Sequence, residues 1–151
     1  MELISSAFAQ GGTVARRYTC DGEDLSPPLA WNAPPAETQS FVLLCDDPDA
    51  PAGTFHHWAL YDIPAQKRDL TEGADRQAGE TFKRGVNDFQ QTGYRGPCPP
   101  HRHGPHHYRF RLLALAIPHL KVPERPSCRD IEHEAQRYCL DEVRLIATYE
   151  R

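Results

Sequence analysis

Apolar positions in this chain fall in short runs, and only one stretch keeps a helical period. Ser40-Phe41-Val42-Leu43-Leu44-Cys45 is almost wholly apolar and predicts a strand buried on both faces. His56 to Ile63, closed by Pro64, predicts the next strand, and Tyr108 to Leu115, which begins with alternation, predicts a third. Val143 to Tyr149 predicts a final strand. Leu3 and Ile4 open a short apolar segment, Thr13 to Cys20 predicts a poorly defined strand, and Ser26 to Trp31 reads as an extended piece whose tryptophan plugs the core. Ser127 offers a helix N-cap, with Asp130 in a capping-box position. Glu132 falls in the first turns, and Ile131, Ala135 and Tyr138 or Cys139 follow at helical spacing, so a helix of about three turns is expected. The polar span Ala65 to Gln91 keeps neither period and predicts an extended surface connection with turns at Gly73, Gly79 and Gly85. The sum is a mostly-β, antiparallel chain with one short helix near its C-terminus.

The length of 151 residues suits one domain spanning residues 1–151. Fourteen prolines and ten glycines favour short elements and turns over long helices. A formal net charge of −4 argues against non-specific nucleic-acid binding, which needs a basic face. No apolar run approaches the ~20 residues of a membrane-spanning helix, and Met1 to Ser6 lacks the basic-then-apolar build of a signal peptide. The five cysteines (20, 45, 98, 128 and 139) are odd in number and show no CxxC spacing. They predict reduced thiols and a cytoplasmic protein.

Candidate chemistry concentrates in two stretches. Gly96 to Tyr108 packs prolines and histidines into a stiff loop that runs directly into a strand. Asp46 to Trp58 is expected to form the facing wall of the same small pocket. Six of the eight histidines lie in these two runs. His56 and His57 are neighbours on a strand and so point to opposite faces; the same holds for His106 and His107, with Tyr108 on the side of His106. One inward imidazole from each sheet end, a carboxylate and a phenol would suit a small anion. Asp49 reads as a turn residue, whereas Asp47 could hold a turn or orient an imidazole. A transition metal on His101, His103, His106 and His107 finds no supporting HExxH or CxxC spacing. A hydrolase nucleophile at Cys98 is a weak reading, because the flanking prolines leave few oxyanion-hole donors.

The same stretches carry a family resemblance. Ser26-Pro27-Pro28-Leu29-Ala30-Trp31, Asp47-Pro48-Asp49-Ala50-Pro51 with Phe55-His56-His57-Trp58, and Gly93 to Pro100 running to His106-His107-Tyr108 resemble the signatures of the phosphatidylethanolamine-binding protein family, in its bacterial Raf-kinase-inhibitor-like branch. Leu145 to Arg151 is similar to that branch as well. The resemblance implies two antiparallel sheets with a helix or two near the C-terminus, and a pocket for phosphate-like anions or phospholipid head groups. It places Asp47, His57, His106 and Tyr108 in the pocket. Ala50, Pro51, Gly96, Cys98 and Pro99 would line it, and Phe55 would stand at the rim. It implies a non-enzymatic binding protein without cofactor or metal. A regulator acting on a kinase or protease through surface loops is the alternative, and a homodimer is allowed. The chain departs from the family pattern at Gln90 and Arg102, where glycine is usual, and at His107, where arginine is commoner.

Overall fold

The structure is a computed structural model that describes residues 1–151. In chain order the strands are Glu2–Ile4 (β1), Leu29–Asn32 (β2), Ser40–Asp47 (β3), Phe55–Pro64 (β4), Asp69–Leu70 (β5), Lys83–Arg84 (β6), His106–Leu115 (β7) and Cys139–Tyr149 (β8). The one α-helix, Cys128–Gln136 (α1), precedes β8. Two antiparallel sheets result, one of order β1-β2-β5 and one of order β6-β4-β3-β7-β8.

β3 is buried from end to end because it lies at the centre of the larger sheet and is covered on both faces. One face carries Phe41, Leu43, Trp58, Leu60, Phe110 and Leu112, which pack against Leu3, Leu29, Trp31 and Leu70 of the small sheet. Trp31 meets Phe41 with ring centroids 5.5 Å apart, as the plug reading expects. The other face carries Val42, Leu44, Ala59, Leu113 and Leu115 beneath Cys128, Ile131 and Ala135 of α1. That helix starts where its capping box places it: Ser127 Oγ accepts from the Asp130 N–H, and the Asp130 carboxylate accepts from the Ser127 N–H.

The register of β3 on β4 shifts by one residue between Cys45↔Trp58 and Asp46↔His56. His57 has no partner in the ladder, which is the signature of a β-bulge. Strict alternation would put His57 opposite in facing to Trp58. The bulge instead leaves Trp58 and His57 on the face of the small sheet and sends His56 to the face of α1.

Three expectations need correction. Thr13 to Cys20 is not a strand but a 3₁₀ turn at Arg16–Tyr18, closed by Thr19 Oγ1 donating to the Arg16 carbonyl; only Thr13 bridges to Thr148. The polar span is not all connection, since it contains β5, β6 and a 3₁₀ turn at Ala74–Arg76. Gly73 and Gly79 do turn with positive φ, but Gly85 is required for close packing: a Cβ there would lie 2.5 Å from Ile131 Cδ1 and 3.3 Å from Ala59 Cβ. Finally, the cysteines are not all reduced. Cys20 and Cys98, 78 residues apart, form a disulfide, leaving Cys45, Cys128 and Cys139 free.

Candidate functional site

The end of β3 and the beginnings of β4 and β7 meet at one edge of the larger sheet. Asp47 closes β3 there and serves both roles that its sequence setting allows. Its Oδ1 accepts the Asp49 N–H at 2.8 Å, which shapes the turn, and its Oδ2 lies 2.7 Å from His106 Nδ1. An Nδ1–H donated to a carboxylate fixes the His106 tautomer. The other His106 nitrogen, Nε2, is 2.6 Å from His103 Nδ1, so Asp47, His106 and His103 form a chain that neutral imidazoles can satisfy.

Asp49 does more than turn the chain. Its Oδ2 accepts the His107 backbone N–H at 2.8 Å and His107 Nδ1 at 2.7 Å, tying the Asp47 to Pro51 turn to β7 on the solvent side. The His107 N–H, and then its side chain, hold the Asp49 carboxyl below its usual range. His106 and His107 therefore face opposite ways, as do His56 and His57.

His57 Nδ1 lies 2.7 Å from the Arg95 carbonyl, so this nitrogen carries a proton and donates it. Nε2 makes no hydrogen bond. Burial pushes the His57 pKa down, opposed by the Arg95 carbonyl and the Asp47 charge, so the imidazole is neutral near pH 7. Beside it, the Tyr108 hydroxyl is buried without a hydrogen-bond partner. Burial, followed by the Asp47 charge, drives the phenol pKa far up and keeps the group a donor. The His57 and Tyr108 rings meet edge to face at 5.4 Å.

These groups line a cavity of about 200 Å³ together with Ala50, Pro51, Phe55, Cys98 and Pro99. Gly96 does not itself line this cavity. Its N–H donates to Asp24 Oδ1, and a Cβ on it would strike the Tyr18 carbonyl, so it supports the wall from behind. Phe89 is an unforeseen member. Its ring meets Phe55 at 4.7 Å and His57 at 5.6 Å, both edge to face, held there by Asn87 Oδ1, which accepts the Phe89 and Gln91 N–H groups. A phenylalanine set among polar residues, in Asn87-Asp88-Phe89-Gln90-Gln91, is the available signal. Gln90 and Arg102, the two departures from glycine, adopt φ of 63° and 61°. Left-handed backbone costs a side-chain-bearing residue about 1 kcal/mol, so the pocket's two flanking loops each carry that strain.

Cys98 enters the pocket wall as half of the disulfide, so it offers no thiolate nucleophile. His101, His103, His106 and His107 do not converge: His106 Nε2 is engaged by His103, and His107 turns outward to Asp49.

A second polar cleft lies at the same edge on the opposite face, between the sheet and α1. Asp46, His56 and Arg109 line it from the sheet, and Arg129, Glu132 and His133 from the helix and its start. Asp46 is fully buried and accepts from Arg109 Nε at 2.6 Å and from Arg111 Nη1 at 3.1 Å. Arg111 also reaches Glu132 and Glu142.

No helix is long and apolar enough to cross a membrane. Residues 4–150 match the family model described as phosphatidylethanolamine-binding protein. The chain is 44% identical to a UPF0098 protein of Aquifex aeolicus, over 100% of this chain and 89% of that one. It is 42% identical to a UPF0098 protein of Methanothermobacter thermautotrophicus, over 100% and 99%. Among solved structures, Escherichia coli YbcL, described as a new member of the mammalian PEBP family, superposes with a TM-score of 0.94 at 29% identity, covering 99% of this chain and 98% of that one. A Chlamydia trachomatis protein described as a putative PEBP homologue superposes at 0.88 with 31% identity, covering 99% and 97%. With the family model spanning residues 4–150 and relatives 42–44% identical across the whole chain, the chain belongs to the phosphatidylethanolamine-binding protein family.

Proposed function

We propose that this protein binds a small anionic group, either phosphate or a phosphorylated head group, in the Asp47–His57–His106–Tyr108 pocket, without catalysing its turnover. The observation that carries this reading is the Tyr108 hydroxyl, buried without a partner at hydrogen-bond geometry and with only the Asp47 carboxylate near it, beside a His57 Nε2 that also makes no hydrogen bond. An unsatisfied buried donor costs about 1–3 kcal/mol, and an anionic oxygen in the cavity removes that cost. A Cys98-dependent hydrolase would need a free thiolate where a disulfide stands. The same disulfide fits an oxidising compartment better than the cytoplasm expected from cysteine count.

Neutral His57 offers a lone pair at Nε2, so gripping a fully charged anion requires proton uptake there. Affinity for sulfate, whose own charge is constant in this range, is expected to rise as pH falls from ~7.5 through ~6.5, by up to about tenfold per unit for one linked proton. Because burial lowers the His57 pKa, the rise should continue below the range of an ordinary histidine. Isothermal titration checks this, and chemical shifts at His57 and Tyr108 during titration with phosphate and phosphoethanolamine locate the ligand and separate the two sources. A flat pH profile, or shifts elsewhere only, sinks the assignment.

In the Asp47–His106–His103 chain, His106 Nε2 accepts from His103 Nδ1 and so offers an anion no donor. Truncation by His103→Ala adds no donor to the pocket, so phosphate affinity is expected to stay within about twofold of wild type. A several-fold change in the same titration would show that His103 takes part in binding.

A further inference from the structure

The cleft under α1 is chemically unlike the anion pocket. We propose that Asp46, His56 and Glu132 form a binding site for a divalent transition-metal cation of the zinc type. One ligand atom from each of the three lies within 4.8 Å of the others. Donors of a tetrahedral site with bonds of roughly 2.0–2.2 Å stand about 3.3 Å apart, so side-chain rotations alone can close this triangle.

His56 is the independent sign that something is held here. The residue is 6% exposed, lines the cleft, and neither ring nitrogen has a hydrogen-bond partner, although two carboxylates are close. Its backbone N–H is taken by Asp88, which fixes the strand and leaves the ring nitrogens open to the cleft. An imidazole whose ring nitrogens are free, set against two carboxylates, is an arrangement that can ligate a metal.

The carboxylates are already hydrogen-bonded, and this sets the expected selectivity. Arg109 and Arg111 each donate to one oxygen of Asp46, and Arg111 donates to Glu132 Oε2. Each of these oxygens keeps a second lone pair, and Glu132 Oε1 has no partner at all. Guanidiniums so placed orient ligand carboxylates in the manner of outer-shell partners. They also offset the negative charge, which disfavours hard cations that bind through charge alone. Binding then depends on the imidazole, favouring zinc over magnesium or calcium. The cleft of about 490 Å³ leaves room for water or an exogenous ligand at the open position. An anion would meet Arg109 and Arg129 but also the Asp46 and Glu132 carboxylates, so a cation is the better-supported occupant.

The test is calorimetric titration of the full chain with Zn²⁺ alone, at pH 7, with circular dichroism of every variant. One equivalent is expected to bind, at least tenfold more weakly in His56→Gln and in Glu132→Gln, with the fold retained. Glu132 is partly exposed on the helix, so its variant remains informative if the buried His56→Gln fails to fold. The His101→Ala/His103→Ala double variant should leave zinc binding unchanged. Loss of zinc in that double variant alone, or no uptake at all, overturns the proposal. So does phosphate binding abolished by His56→Gln in the absence of metal, which would make the cleft an anion site. The phosphate titration of the Tyr108 pocket is read separately in the same variants.

Discussion

Replacing Cys20 by serine should lower the unfolding free energy by about 4 kcal/mol, because the lost cross-link closes a loop spanning 78 residues of sequence. For a chain of this size that corresponds to a fall in Tm of roughly 10 °C. The bond joins the 3₁₀ turn near Tyr18 to the proline-rich loop that carries the pocket wall, and few other covalent or ladder constraints bind those segments. The Cys20 N–H already donates to the Pro97 carbonyl at 3.1 Å, so the two segments are in contact without the sulfur bridge. The variant should therefore fold, only more weakly. Urea unfolding of wild type with and without reductant, beside Cys20→Ser and Cys98→Ser, tests this. All three reduced or mutated forms should coincide. Equal midpoints for oxidised and reduced wild type would show that the bridge contributes nothing.

A comparable loss, about 3–5 kcal/mol, is expected for Asp75→Ala, from two buried donors left without acceptors. Asp75 Oδ1 accepts the Trp58 indole N–H at 2.8 Å, and Oδ2 accepts the Tyr94 backbone N–H at 3.0 Å. The carboxylate thus connects the centre of the larger sheet to the segment that leads into the pocket loop. Its approach is so close that Gly93 has no room for a Cβ, which would sit 2.5 Å from Oδ2. Asp75→Asn separates the two contributions. It can keep the bond to Trp58 but turns an amide N–H toward the Tyr94 N–H, so an intermediate loss of about 2 kcal/mol follows. Chemical denaturation should rank wild type above Asn and Asn above Ala; two variants within 1 kcal/mol of wild type would refute the accounting.

The long strands and the helix were legible in the sequence for definite reasons. β3, β4, β7 and β8 each bury enough consecutive or alternating side chains to leave a pattern, and α1 announces its start through Ser127 and Asp130. β5 and β6 are two residues long, too short for any period to show. The Cys20–Cys98 pairing joins residues that no local spacing relates. At the site, Asp47, His57, His106 and Tyr108 do converge, while Gly96 lies behind the wall because its role is steric. Phe89 escaped notice because its position depends on the Asn87 side chain gathering a loop. That His57, and not His56, enters the pocket follows from a ladder irregularity, which side-chain chemistry does not encode.

The irregularity gives the site an unusual vulnerability. Trp58 is anchored in the core and Asp47 caps the neighbouring strand, so the three positions from Phe55 to His57 are read in a phase set by one extra residue. Deleting Phe55 would let His57 and His56 pair in regular register and carry the imidazoles to the wrong sides, with no loss of histidine from the sequence. Along this strand, evolution can exchange side chains one at a time, but a change in length is a frameshift in space.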